Sequence, residues 1–563
     1  MKFNKIKIKG KKIILISVIA VFTIISVSFV VNRDHAFESV KQLDIFYSLY
    51  KELNLYYVDE IIPGDIIKTG IDAMLKSLDP YSEYIQESNI EEIRIMTTGQ
   101  YGGIGALIRK HSEYVVIAHP YQGRPADKSG IVAGDIILKI DGINIKDKKV
   151  SEVSELLKGA PNSTVELIIE RPGHKEEIKK TVIREDIKLD AVPYYGIIGN
   201  NIGYITLNNF TNTAGRDVKD AFKELKNDNE INAIIIDLRG NPGGLLLEAV
   251  KIVNLFVDKG QEVVSTRGKV AQWDNIYRAV EEPLDTEIKI AVLVDRSSAS
   301  ASEIVAGALQ DLDRGVIIGQ QTFGKGLVQT TRELSYNAVL KVTTAKYYIP
   351  SGRCIQALDY SHRDEEGKAV RVPDSLLTEF STLNGRIVYE GGGIIPDITI
   401  EPTMLSKIST SLILKNLTFD YATIYRQKNP EIATPEEYEF TELEYDKFVE
   451  FLADKDFDYE TKTEEKLRKL IESAKNEKYY ERADKEFEIL KDKLSHDKNK
   501  DLQVFKEEII QLLSQEIILR YYYEKGGIIY SLKHDPEIKK AIEIISDKDI
   551  YNKILDGTYK ENI

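Results

Sequence analysis

Ile290-Ala-Val-Leu-Val-Asp295, followed by Ser298-Ala-Ser300-Ala-Ser302-Glu303, decides how this chain is read. The apolar run reads as a buried strand, and Ile304, Val305, Ala308, Leu309 and Leu312 then recur on one side of a helix. The serines therefore sit at a strand-to-helix corner, where a nucleophile is exposed beside N–H groups that lack intrahelical partners. Phe323-Gly-Lys325-Gly-Leu-Val-Gln329 follows, with Lys325 lying 25 residues after Ser300. A hydroxyl, N–H donors for an oxyanion, and a lysine that can accept a proton if burial lowers its pKa suit acyl transfer at a carbonyl. Taken singly the pieces are ordinary, because serines before a helix usually cap it and a lysine between glycines usually lies in an exposed loop.

A second motif changes the balance. Ile234-Ile-Ile-Asp237-Leu-Arg239-Gly240-Asn-Pro242-Gly243-Gly244 reads as a buried strand running into a turn whose glycines let backbone N–H groups approach a substrate. DLRGNPGG, SASASE and FGKGLVQ, in this order and spacing, resemble the carboxyl-terminal processing peptidases, or tail-specific proteases. The resemblance runs from about residue 75 to about 403 and includes Leu78-Asp-Pro80-Tyr-Ser82 and Gly391-Gly-Gly-Ile-Ile-Pro396-Asp397. It implies Ser300 as nucleophile, Lys325 as general base and Gln329 as the residue orienting the lysine, with the N–H groups of Gly244 and Ala301 forming the oxyanion hole. Periodicity alone does not choose among the serines: Ser297 and Ser298 are candidates for capping the helix, and Ser302 with Glu303 reads as part of its start.

What is missing also supports lysine rather than histidine as the base. Between residues 187 and 400 the only histidine is His362, in the polar stretch Ser361-His-Arg-Asp-Glu-Glu-Gly367, so a Ser-His-Asp triad is disfavoured. Lys325 and Gln329, four apart, share a face of either a strand or a helix. Asp311 also matches a family position, but it is 11 residues from Ser300, about 16 Å along a regular helix, and reads as structural.

Composition supports a multidomain extracytoplasmic enzyme. A net charge of −14 over 563 residues argues against nucleic-acid binding. Residues 2–12 hold six lysines and no acid, and 13–31 run 19 residues without a charge, about 28 Å as a helix. A cleaved signal peptide is the alternative, but the run is long for one and no small-x-small site follows, so an uncleaved anchor is expected. Lysines before it should stay cytoplasmic, leaving the remainder outside, periplasmic if the source is Gram-negative. The lone Cys354 excludes an intrachain disulfide and reads as a small buried hydrophobe. No metal-ligand cluster and no phosphate loop is apparent, so no cofactor is expected.

The expected fold is multidomain α+β: a mixed α/β serine-protease core of the tail-specific type, a PDZ domain, an N-terminal helical segment and an α-helical C-terminal extension. The boundaries are 1–12 basic segment, 13–31 anchor, 32–93 helical region, 94–186 PDZ domain, 187–403 protease core and 404–563 helical domain. The PDZ resemblance rests on Tyr101-Gly-Gly-Ile-Gly105 and Pro125-Ala-Asp-Lys-Ser-Gly-Ile-Val-Ala-Gly-Asp-Ile-Ile-Leu-Lys-Ile-Asp-Gly142. Gly102, Gly103, Ile104 and Gly105 would present N–H groups to a substrate's terminal carboxylate while its tail adds as a strand; a tight turn without a ligand is the alternative. Arg171 is a candidate transmitter from this domain, with an ion pair as the plainer reading. In the C-terminal region Gly526-Gly527 punctuates the helical pattern.

The reaction expected is peptide-bond hydrolysis at or from C-terminal tails through an acyl-enzyme on Ser300. Its partners are protein or peptide substrates with free C-termini and the membrane; a homodimer and an activating adaptor are compatible with the sequence. A catalytically silent membrane-tethered PDZ adaptor or holdase, and a hydrolase of non-peptide acyl groups, are the other readings.

Overall fold

The computed structural model describes residues 37–87, 90–364, 369–371 and 377–559. The expected basic segment and anchor, 1–31, lie outside them. Among the described residues no helix is long and apolar enough to cross a membrane. The chain forms two compact units, divided after Tyr84. In the first, residues 37–56 are helical and a second helix spans Pro63–Lys76. Asp79 closes the following turn by accepting from the Tyr81 and Ser82 N–H groups, both at 2.8 Å.

The second unit is built on a six-stranded sheet of Tyr194–Ile198, Ile202–Thr206, Ala233–Asp237, Lys289–Val294, Val316–Gly319 and Ile398–Thr399, in that order. The first pair is antiparallel and the rest are parallel. Parallel strands are covered on both faces, and the alternation of their side chains shows how. Ile234, Ile236, Ile290, Val292, Val294 and Ile317 face a core with helices Ala214–Asn229, Leu246–Asn254 and Ala301–Asp311. Ala233, Ile235, Ala291, Leu293, Val316 and Ile318 face the other way, against Ile538, Ala541, Ile544, Ile545, Tyr551 and Ile554. Those last residues belong to helices Pro536–Ser546 and Lys548–Leu555. The terminal helices, assigned from sequence to a separate extension, thus complete the protease core.

A second sheet pairs Leu327–Glu333 with Val339–Tyr348, then with Glu262–Gly268 and Asn275–Arg278. The PDZ region forms its own six-stranded sheet between Ala106 and Ile183, with helix Val150–Leu157 against it. It rests on the C-terminal region: His111 Nε2 lies 2.9 Å from Asp420, Tyr523 donates to Asp127 at 2.9 Å, and Arg109 donates to Asn416. Gly526-Gly527 does not punctuate. The helical run Lys506–His534 reverses three residues earlier, at Tyr523 (φ 56°, ψ −161°). The glycines let the two arms approach, since a Cβ on Gly527 would meet Gln515 and Leu519 at 2.9 Å.

Candidate active site

Strands Ala233–Asp237 and Lys289–Val294 are parallel neighbours, so the glycine turn and the serine corner leave the same edge of the sheet side by side. The carboxyl ends of such strands are where open α/β sheets place their sites. The two turns are joined by a dense set of bonds. Leu238 N–H donates to the Leu293 carbonyl at 2.9 Å and Ala299 N–H to that of Asn241 at 3.0 Å. The Asp295 carboxylate accepts from Gly240, Ser297 and Ser298 N–H groups. Asn241, fully buried, braces the glycine turn from within: its amide donates to Leu207 O and its carbonyl accepts from Gly243 N–H.

The serines divide by what their hydroxyls already do. Ser298 Oγ donates to Leu238 O at 2.8 Å and Ser302 Oγ to Asn241 O at 3.0 Å, and both residues are fully buried. Neither Ser297 nor Ser298 caps the helix; the capping position is Ser300 itself. Ser300 is partly exposed and holds φ 55°, ψ −111°, a conformation costly for a residue with a Cβ. Such strain at a strand-to-helix corner lifts a hydroxyl out of the backbone's shadow, as in a nucleophile elbow. Gly243 (φ 100°) packs so closely that a Cβ there would lie 2.8 Å from Ser300 Cβ and 2.9 Å from Ala301 N. Gly244 pairs with Phe210 at φ 146°. Among the described residues neither Gly244 N–H nor Ala301 N–H has an acceptor, which leaves two donors bare beside Ser300.

Lys325 is half-buried and just precedes strand Leu327–Glu333. Two residues not assigned a site role from sequence hold its backbone to that of Ser300. The fully buried Glu303 carboxylate accepts from Ser300 N–H (2.8 Å), Thr322 hydroxyl (2.5 Å), Gly324 N–H (2.7 Å) and Lys325 N–H (2.9 Å). Burial pushes its pKa up to about 7, against the pull of those donors. The Tyr347 hydroxyl lies between the carbonyl oxygens of Ser300 and Lys325. Glu303 carried a partial signal, the S-x-x-E spacing of a capping box; Tyr347 carried none. Phe323, two residues before the lysine, is 51% exposed and does little to bury it. Gln329 donates to Leu327 O at 3.1 Å and Thr343 Oγ1 at 3.3 Å. An irregularity between Val328 and Gln329 breaks the alternation on which the shared-face argument rested.

Asp311 accepts from the fully buried Arg353 at 2.9 Å and from Ser351 N–H at 3.0 Å, a staple at the far end of the helix. Cys354 is buried, and burial raises its pKa. In the PDZ region Gly103, Ile104 and Gly105 line a cavity of about 250 Å³ with Tyr101 and Leu157. Gly102 does not; its carbonyl accepts from Gly159 N–H at 3.0 Å. Arg171 makes a two-point ion pair with the buried Asp135, both bonds 2.7 Å.

Residues 201–361 match the model of peptidase family S41, 116–171 that of a PDZ domain, and 408–545 that of the C-terminal helical domain of probable PDZ-proteases. A carboxy-terminal-processing protease of Bartonella bacilliformis is 38% identical over 323 residues, covering 56% of this chain and 73% of that protein. A probable CtpA-like serine protease of Staphylococcus aureus is 36% identical over 345 residues, covering 60% and 68%. Among solved structures, the photosystem II D1 C-terminal processing protease aligns over 64% of this chain and 93% of its own, at 27% identity and a TM-score of 0.35. The chain belongs to the S41 family: it is a serine-type carboxy-terminal processing peptidase with a PDZ domain and a C-terminal helical domain.

Proposed function

We propose that this peptidase works through an acyl-enzyme on Ser300 with Lys325 as its base. The observation that carries the reading is the strained, partly exposed Ser300 beside two unpartnered N–H groups, with its backbone tied to that of Lys325 through Glu303 and Tyr347. Ser300 Oγ attacks the scissile carbonyl carbon as neutral Lys325 Nζ takes its proton. The N–H groups of Gly244 and Ala301 receive the oxyanion. Collapse breaks the C–N bond, Lys325 protonates the leaving amine, and water activated by the same lysine hydrolyses the acyl ester. Gln329, its amide nitrogen engaged by Leu327 and Thr343, keeps its carbonyl as the end that can orient the ammonium.

Tail selectivity follows if the PDZ cavity receives the substrate's terminal carboxylate at the Gly103–Gly105 loop while the tail adds as a strand. Six lysines followed by 19 uncharged residues support a single-pass anchor with the catalytic region outside the cytoplasm. The apolar side chains exposed along 37–56, such as Phe37, Leu43 and Leu49, suit a homodimer contact.

The test uses the fragment from residue 34 onward and an unfolded reporter with a free or an amidated apolar C-terminus. Wild type should cleave, favouring the free carboxylate, and Ser300→Ala and Lys325→Arg should not, because guanidinium cannot act as a base near neutral pH. Turnover by Lys325→Arg would exclude lysine catalysis. A reporter enzyme active only outside the cytoplasm, fused after residue 34, tests the location; no activity would refute it.

A further inference from the structure

Arg239 opens the turn that carries Gly243 and Gly244, and its guanidinium faces three carboxylates. Nε and one terminal nitrogen donate to Asp237 at 2.9 and 2.5 Å, and the other terminal nitrogen donates to Asp535 at 2.7 Å and Glu537 at 2.6 Å. Asp237 ends its strand, whereas Asp535 and Glu537 stand nearly 300 residues later, at the start of helix Pro536–Ser546. Asp535 divides its two oxygens. One caps its own helix by accepting from the Glu537 and Ile538 N–H groups at 2.8 and 3.1 Å, and the other takes Arg239.

We propose that Asp535 and Glu537 of the C-terminal helical domain are positioning residues for the peptidase reaction, acting through Arg239 on the turn that presents the Gly244 N–H. The inference rests on the reading of Gly244 as an oxyanion donor. Three carboxylates around one cation leave negative charge uncompensated in a largely buried place, and burial raises the pKa of Glu537. A fastener for stability would need only one carboxylate, whereas a planar fork held on two edges fixes an orientation. The same domain reaches the other flank of the glycine pair. Glu524 accepts from Asn208 at 3.3 Å, two residues before Phe210, and Phe210 bonds Gly243 O and Leu245 N–H on either side of Gly244. The donor's position is thereby set by residues that the protease motifs do not contain.

The test is made on the full chain with Arg239→Lys, which keeps the charge but loses the fork, and with Asp535→Asn/Glu537→Gln, which keeps the helix cap. Active sites are titrated with a fluorophosphonate, so that misfolded protein does not count. The readouts are kcat and KM on the unfolded reporter, and the affinity of a peptidyl boronate whose tetrahedral adduct places an oxygen in the oxyanion hole. Both variants should lose about tenfold or more in kcat per titrated site, with KM within about twofold and boronate affinity falling in step. Unchanged kcat per site, or a fall in kcat without weaker boronate binding, would overturn the proposal whatever happens to Tm. Should the double variant fail to fold, Arg239→Lys and Asp535→Asn alone decide. A wild type whose turnover survives Ser300→Ala would overturn the active-site reading as well, and so separates the two failures.

Discussion

The two faces of the six-stranded sheet are covered in contrasting ways. One is covered by helices that follow their strands closely in sequence, and the helix starting at Ala301 brings the serine corner with it. The other is covered by helices more than two hundred residues beyond the strands Ala233–Asp237 and Lys289–Val294. The proposed chemistry sits with the locally covered face, and completion of the core falls to helices far along the chain. The contrast predicts that damage to the two faces should be equally costly for folding and unequally costly for catalysis.

The largest effect should come from removing residues 536–563. Ile538, Ile544, Ile545, Tyr551 and Ile554 are all nearly or fully buried, and at about 2 kcal/mol each their burial contributes roughly 10 kcal/mol, comparable to the whole stability of a domain. The truncated chain should be insoluble or molten by near-UV circular dichroism. A cooperatively folded, active truncation would break the comparison.

Glu303→Ala should come next, because it removes one acceptor from four donors at once. Turnover per titrated site should fall about a hundredfold as Ser300 and Lys325 lose their common anchor. Glu303→Gln gives the pH test. With a folded pKa of about 7 against an ordinary 4.5, the folded state binds the proton more tightly than the unfolded state. Wild type should therefore lose stability relative to the Gln variant as pH rises from about 4.5 to 7, and no further above. Denaturant melts at several pH values read this directly, and a flat difference would reject the raised pKa.

Matched truncations sharpen the comparison. Ile304→Ala and Ile544→Ala, one on each face, should each cost about 2–4 kcal/mol in denaturant unfolding. Ile304→Ala, in the helix that starts at Ser300, should also lower kcat per titrated site, and by more than Ile544→Ala, whose helix reaches the glycine turn only through Asp535, Glu537 and Arg239. Equal kcat losses would mean that the faces are not distinct for catalysis.

The smallest effect belongs to the PDZ contact. Asp420 raises the pKa of His111, opposed by burial and by Arg109. The pair's stabilisation should be full below His111's ordinary 6.5 and vanish as pH rises through its higher folded value. Both side chains are partly exposed, so Asp420→Asn should cost at most about 1 kcal/mol, at pH 6 and not at pH 9. Hydrogen exchange in Tyr114–Pro120 at the two pH values measures it, and a pH-independent change would assign the effect to packing.

Much of the site was legible because its parts are local. A buried strand ending in serines and then a helical period describe a corner with bare amides, and the glycines of the preceding motif mark a turn of unusual φ. The choice among Ser298, Ser300 and Ser302 was not legible, since it depends on which hydroxyls find carbonyls in the neighbouring turn. Glu303 could be read as a helix-start residue, but its bonds to Thr322, Gly324 and Lys325 join segments about twenty residues away. The glycines at 526 and 527 were read as a break because glycine disfavours helices, and close packing between two arms overrode that preference.

Hydrophobic period, with the motifs' resemblance to a known family, marked out the protease and PDZ regions, the candidate residues Ser300 and Lys325 and the existence of the late helices, because each depends on neighbours along the chain. Only the tertiary structure decided that the last helices close the sheet's second face, that Glu303 and Tyr347 bind two loops into one site, and that Asp535 reaches Arg239. An amphipathic pattern states that a face must be covered and a carboxylate that it must be paired; which surface or cation satisfies them is settled when all the faces compete for burial together.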